Sequence, residues 1–157
     1  GDAACASAPW DTRADILAFR GAARPITAAR DPTSVPTITL GTLHEVLLAP
    51  QGQVRFAHEP LRRRGGAQEH AGMLQFEVAA AGRYHVTLDV PAWIDVAGPD
   101  GVLPASAFMG RTDCTLFHKS VEFALEPKVR YTLQLNGVAP ASVKLVVLPS
   151  APAITGS

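Results

Sequence analysis

The segment Phe108-Met109-Gly110-Arg111-Thr112-Asp113-Cys114-Thr115-Leu116-Phe117-His118-Lys119 holds the densest set of groups able to do chemistry. A Cys114 thiolate beside His118 and Met109 would form a soft ligand set of the kind that suits copper or zinc. That set exists only while Cys114 is reduced, and the ligand order of a copper electron-transfer site is absent. A polar loop anchored by a disulfide accounts for the same residues more simply. No metal or other cofactor is assigned.

Nucleophilic hydrolysis needs a hydroxyl or thiol with a base in reach. Ser106 with His118 and Asp95 is the one arrangement that falls near a single loop edge, and no G-x-S-x-G elbow surrounds Ser106. Asp89, Asp95, Asp100 and Asp113 offer carboxylates for glycoside chemistry, as almost any β protein does. The five histidines, His44, His58, His70, His85 and His118, lack ligand spacing such as H-x-H or H-E-x-x-H. His44 and His85 fall on strands, where the solvent face is the simplest placement. No catalytic residue is assigned.

Two indoles, Trp10 and Trp93, are able to stack on a sugar face, and Trp93 stands near Asp89 and Asp95, whose carboxylates bind hydroxyls. Packing at the end or edge of the core is the commoner use of such side chains. Arg62-Arg63-Arg64-Gly65-Gly66 reads as a basic hairpin tip, either solvated or facing an acidic polysaccharide or lipid headgroup.

The elements that must position these groups show period two, the spacing that sends alternate side chains to opposite faces of a strand. Leu74, Phe76 and Val78 are followed by Tyr84, Val86, Leu88 and Val90 across Ala79-Ala80-Ala81-Gly82, which predicts a hairpin. Val121, Phe123 and Leu125 lead through Glu126-Pro127-Lys128 to Val129, Tyr131, Leu133 and Leu135, and Asn136-Gly137 precedes Val143, Leu145 and Val147. These predict two further hairpin-like pairings, the second with a positive-φ turn. Ile38 and Leu40, the run from Leu43 to Leu48, and Val54 and Phe56 add strand candidates upstream. The stretch between Val102 and the strand at Ser120 reads as an irregular connection.

The expected fold is an all-β, antiparallel, jelly-roll-like sandwich of eight or nine strands. Residues 1–34 form an arm packed on the body, 35–149 the sandwich and 150–157 a loose tail, one domain overall. Within the arm, Asp11 is placed to cap a short helix through Asp15, Ile16, Leu17 and Phe19 that Gly21 ends.

The chain has 157 residues, of which 47% are hydrophobic and 18% charged, so it is long and apolar enough to bury one core. Its 14 basic and 14 acidic side chains cancel, which argues against nucleic acid as a partner. No apolar run reaches the roughly 20 residues of a membrane-spanning helix. Cys5 and Cys114, without C-x-x-C spacing, leave either a disulfide or two free thiols. The small-residue start Gly1-Asp2-Ala3-Ala4-Cys5-Ala6-Ser7-Ala8 reads as the sequence left after signal-peptide removal, which favours the disulfide and a periplasmic or secreted location.

The stretch Phe76 to Leu88, followed by Ile94-Asp95-Val96, Phe123-Ala124-Leu125 and Tyr131-Thr132-Leu133-Gln134-Leu135, resembles the bacterial pre-peptidase C-terminal domain over residues 72–147. That resemblance implies a small secreted β-sandwich appended to exported enzymes, serving secretion or substrate adhesion. The whole chain is similar to a group of exported proteobacterial proteins. They share the early cysteine, a Trp-Ile-Asp-Val segment (Trp93–Val96) and a Cys-x-x-x-x-Lys-x-Val-x-Phe run (Cys114 to Phe123). This likeness supports the compartment and the disulfide and implies no activity.

The functional expectation is therefore a non-catalytic exported module. Trp93, Asp95, Arg111, Asp113, His118 and Lys119 at one loop-bearing end would bind a carbohydrate, another envelope component or a protein. The alternatives are a small hydrolase or metal-handling protein built on the His118 loop, and a structural or assembly subunit.

Overall fold

The computed structural model describes residues 2–6, 8–110 and 113–152. Two helices, α1 (Asp2–Ala6) and α2 (Arg13–Arg20), precede eleven strands. These are β1 (Arg24–Thr27), β2 (His44–Leu47), β3 (Ala49–Pro50), β4 (His70–Phe76), β5 (Gly82–Leu88), β6 (Trp93–Gly98), β7 (Gly101–Val102), β8 (Ala107–Gly110), β9 (Lys119–Leu125), β10 (Tyr131–Val138) and β11 (Ser142–Pro149). One sheet has the order β1-β2-β11-β5-β9-β8 and the other β3-β4-β10-β6-β7. Every named strand pair is antiparallel except β1 with β2. The fold is thus an all-β sandwich, and nine of its strands are four residues or longer. No described helix is long and apolar enough to cross a membrane.

The period-two pattern names the inward faces correctly. Leu74 and Phe76, Val86 and Leu88, Val121 and Phe123, Leu133 and Leu135, and Val143 and Leu145 all bury in one cluster between the sheets. Each such side chain contributes about 1.5–3 kcal/mol of hydrophobic stabilisation. The hairpins, in contrast, do not form. β4 and β5 lie in opposite sheets, as do β9 and β10, and β10 and β11. The connectors at 77–81, 126–130 and 139–141 are arches that carry the chain over the roughly 10 Å between packed sheets. Alternation specifies which side chains face the core and says nothing about the hydrogen-bonding partner, so a hairpin and an arch read alike.

Asn136-Gly137 illustrates the point. Its positive φ of 70° at Gly137 makes a bulge inside β10, between Leu135 and Val138, instead of the turn expected there. Other expectations also change. Ile38, Leu40, Val54 and Phe56 lie outside any named strand, and the supposedly irregular stretch after Val102 contains β8, which pairs with β9 from Ala107↔Glu122 to Gly110↔Lys119.

Both sheets are covered on their outer faces as well. Over the six-stranded sheet, α2 and the chain before it pack Trp10 and Phe19 with Met109, Phe117 and Val146 in a second cluster that includes Cys5. Helix α2 ends at Gly21 as expected, but its N-cap is Thr12, one residue after the expected Asp11, whose carboxylate accepts the Arg13 N–H at 3.0 Å. Its inward residue Asp15 is fully buried and anchors a polar cluster on the sheet. The carboxylate accepts from His85 Nε2 at 2.9 and 3.0 Å and from the Thr87 hydroxyl at 2.7 Å. Thr87 pairs in turn with Ser120 at 2.6 Å, and His85 Nδ1 with the Ser150 hydroxyl at 2.9 Å. Trp10 stacks on the His85 ring at 5.0 Å.

Residues 150–152, expected to be loose, are held: Ser150 N–H donates to Arg83 O, Asp11 N–H to Ala151 O, and Trp10 bridges Pro152. The remaining residues of the tail, 153–157, lie outside the described residues. The Cys5–Cys114 disulfide closes the same layer, joining α1 to the segment before β9.

Two outcomes follow from this layer. Replacing Cys5 and Cys114 together by serine lowers unfolding free energy by about 2–5 kcal/mol, read from the urea midpoint at constant slope; an unmoved midpoint would show that the link adds nothing. Asp15→Ala leaves His85 and Thr87 without their acceptor and costs about 3–5 kcal/mol in the same assay.

Candidate functional site

The outer face of the five-stranded sheet carries Gln134 and Asn136 from β10 and Asp95 from β6, all buried. They are buried because residues 54–66 lie across them as a strap. The strap has no strand ladder, so its peptide groups need other partners. Gln134 supplies two, accepting the His58 N–H at 3.1 Å and donating to His58 O at 2.9 Å. Asn136 repeats the exchange, accepting from Arg64 N–H at 2.7 Å and donating to Arg62 O at 3.0 Å. Asp95 accepts the Leu61 N–H at 3.3 Å. Gly137 completes the seat: a Cβ there would stand 2.8 Å from Arg64 O, so the bulge glycine is what lets the strap approach. These contacts fix Leu61 and Arg62 at one margin of the sandwich.

At that margin the two sheets part. The β6–β7 edge and the β8–β9 edge are joined by residues 103–106, and between them opens a cavity of about 340 Å³. Its floor is apolar: Ile94, Leu103, Val121 and Phe123, which belong to the central core or pack against it. Its lip is Leu61, Arg62, Trp93, Ala105, Phe108 and Lys119. Phe108 and Leu61 are 75% and 63% exposed, unusual for side chains of their size. The volume is in the range of about 300–1,000 Å³ that small-molecule sites occupy.

The electrostatics of the lip are one-sided. Trp93 donates its indole N–H to Asp95 at 3.0 Å, while the Lys119 ammonium and the Arg62 guanidinium lie 5.4 and 6.0 Å from the ring centroid, within cation–π range. Lys119 also donates to Ala92 O at 2.6 Å. Burial, and then the charges of Arg64 and Arg62, push the Lys119 pKa down. Burial pushes the Asp95 carboxyl up, against the opposing hydrogen bonds from Trp93 and Leu61. The lip thus holds two cations, Arg62 and Lys119, beside one acid whose ionisation burial opposes.

Of the residues expected to bind ligand, Trp93, Asp95 and Lys119 meet at this cavity. His118 does not line it; that residue is half-buried, and its backbone N–H donates to Leu88 O. Asp113 is exposed away from the cavity lining, and Arg111 lies outside the described residues. The segment starting at Phe108 was expected beside Trp93, and Phe108 does line the cavity; Leu61, Arg62 and Leu103 were not legible as partners of Trp93, although the basic run Arg62-Arg63-Arg64 marked the neighbourhood of the first two. Arg62 is no free hairpin tip but part of the strap.

The other chemical arrangements dissolve. Cys114 is oxidised, so it offers no thiolate, and no group of three or more metal-ligating side chains occurs among the described residues. Ser106 donates to Glu122 at 2.8 Å, whereas Asp95 serves Trp93 and Leu61, so the Ser106–His118–Asp95 set is not assembled. Instead the fold brings Ser150, His85 and Asp15 into line, a serine–histidine–aspartate sequence of contacts. His85 is 1% exposed under Trp10, which walls its ring off from any substrate, so the array fastens the arm.

The expectation of solvent-facing imidazoles is likewise corrected. His85 and His44 are both buried, His44 sharing the inward face of β2 with Val46 and accepting the Thr39 N–H at 3.1 Å. The chain matches no family model and no curated protein.

The sign of the Asp95 shift gives a pH signature. A carboxyl whose folded pKa is raised contributes stability that is present below the unfolded value of 3.8 and is lost as pH rises through the folded pKa. Asp95→Asn, which mimics the neutral acid, is therefore expected to gain stability relative to wild type as pH rises above about 4. Unfolding free energies of the two proteins compared across that range check it; a constant difference would mean that the carboxyl carries its ordinary pKa.

Proposed function

We propose that the protein is a non-catalytic exported binding module that takes an envelope component in the cavity between the β6–β7 and β8–β9 edges. The observation that carries the proposal is the cavity itself, an opening into the apolar interior flanked by Trp93, Leu61 and Phe108. A folded chain ordinarily closes such a gap, because unfilled apolar volume forfeits packing. The strap instead holds the lip apart by hydrogen bonds to buried Gln134, Asn136 and Asp95. The disulfide supports an oxidising compartment. The resemblance to pre-peptidase C-terminal domains supports service to an exported enzyme.

Among envelope components, an apolar group suits the site better than a sugar. Sugar recognition needs a free aromatic face ringed by hydrogen-bonding groups. Here the Trp93 N–H is already committed to Asp95, two cations lie close to its ring, and the floor is aliphatic and aromatic.

The neutral dye N-phenylnaphthylamine tests the site without involving charge. Saturable one-to-one binding is expected, with energy transfer from tryptophan that Trp93→Phe lowers to the part contributed by Trp10. Ala105→Trp, at an exposed lip position, fills the mouth and weakens the dye at least tenfold, about 1.4 kcal/mol. Equal dye affinity in a folded Ala105→Trp protein would place the ligand elsewhere.

A further inference from the structure

We infer that the ligand of this cavity is a single-chain anionic amphiphile, an alkyl carboxylate or phosphate whose chain enters between the sheets while its charge rests against Lys119 and Arg62. The inference deepens the proposed function and rests on it.

Two features of the lip select this chemistry. The first is unmatched charge. None of the described ion pairs includes Lys119 or Arg62, whereas Arg63 pairs with Glu59 at 3.0 Å on the same strap, and Arg64 donates to Gly137 O outside the cavity lining. Asp95, the acid that lines the cavity, is occupied by Trp93 and Leu61, and burial opposes its ionisation. Lys119 spends one of its three N–H groups on Ala92 O, and its hydrogen bonds among the described residues end there. A half-buried Lys119 ammonium near the exposed Arg62 guanidinium is disfavoured alone and favoured when an anion joins them.

The second feature is direction. The cations stand at the mouth, and the surface beneath them runs into Ile94, Val121 and Phe123, which carry no polar group. A ligand charged throughout would leave that floor empty, and a neutral hydrocarbon would leave the cations unpaired. An amphiphile satisfies both.

Competition against N-phenylnaphthylamine tests the inference, using octanoate, decanoate, decyl phosphate and decanol as monomers below their critical micelle concentrations. Affinity for the carboxylates is expected to rise by about fourfold per added methylene until the chain outgrows the cavity, the factor that corresponds to about 0.8 kcal/mol. Decanoate and decyl phosphate each bind at least tenfold tighter than decanol. In Lys119→Met the decanoate-to-decanol ratio falls towards one. Arg62→Gln, an exposed change that keeps Lys119, lowers the ratio by a smaller factor and stands in should Lys119→Met fail to fold.

Equal affinity for decanoate and decanol, with the dye still bound, would overturn the anion while leaving the cavity reading intact. No dye binding would remove the cavity reading itself. Co-sedimentation with phosphatidylglycerol vesicles separates the remaining case. Vesicle binding without displacement of the dye by monomeric decanoate would make Phe108, Leu61 and the arginines a membrane contact, and the inference would fall.

Discussion

Polar side chains on the outer faces of both sheets have to find every hydrogen bond inside the protein, and the positions of the covering segments follow from that requirement. A buried carboxylate, amide or hydroxyl without a partner costs about 1–3 kcal/mol or more. Asp15, His85, Thr87 and Ser120 meet the demand beneath the N-terminal layer by bonding to one another. Gln134, Asn136 and Asp95 meet it beneath the strap by bonding to the backbone of residues 58–64. The two solutions differ in kind. One is a closed side-chain network; the other is a set of side chains that stand in for a missing strand.

The second solution has a consequence for the site. A strap held by amide side chains has its path set residue by residue, whereas one held by apolar burial alone has freedom to slide. Leu61 and Arg62 are therefore fixed beside Trp93, and the gap between the sheet edges stays open although apolar residues line it. Asp95 belongs to both structures, since one oxygen holds the strap and the other orients the Trp93 indole. Burial makes its ionisation costly, and the lip sets two cations, Arg62 and Lys119, against this one acid. Architecture and electrostatics of the cavity thus share a residue.

The histidines show how far covering layers alter the meaning of a polar residue. His85 occupies a position that alternation assigns to the outside of β5, and it is on the outside of the sheet. It is nevertheless among the most buried side chains, because Trp10 and α2 lie over it. The resulting Ser150–His85–Asp15 contacts have the composition of a hydrolytic triad and the setting of a fastening. Exposure decides between those roles, and exposure is a property of the assembled layers.

From residue types and spacing alone came the fold class, the inward residue of nearly every long strand, the α2 helix with its stop at Gly21, and the grouping of Trp93, Asp95 and Lys119, which line one cavity. Those features depend on local periodicity, on cap chemistry, or on residue types rare enough to stand out. The disulfide was legible as one of two options for a pair of cysteines. The tertiary structure alone decided that consecutive strands cross between sheets, because period two encodes facing and leaves the hydrogen-bonding partner open. It alone decided that Asn136-Gly137 is a bulge, since positive φ serves a bulge as well as a turn. It alone left His118 off the cavity and brought Leu61, Arg62 and Leu103 to it, because which loops converge at one margin depends on strand order, and strand order is settled by contacts between residues far apart in the chain.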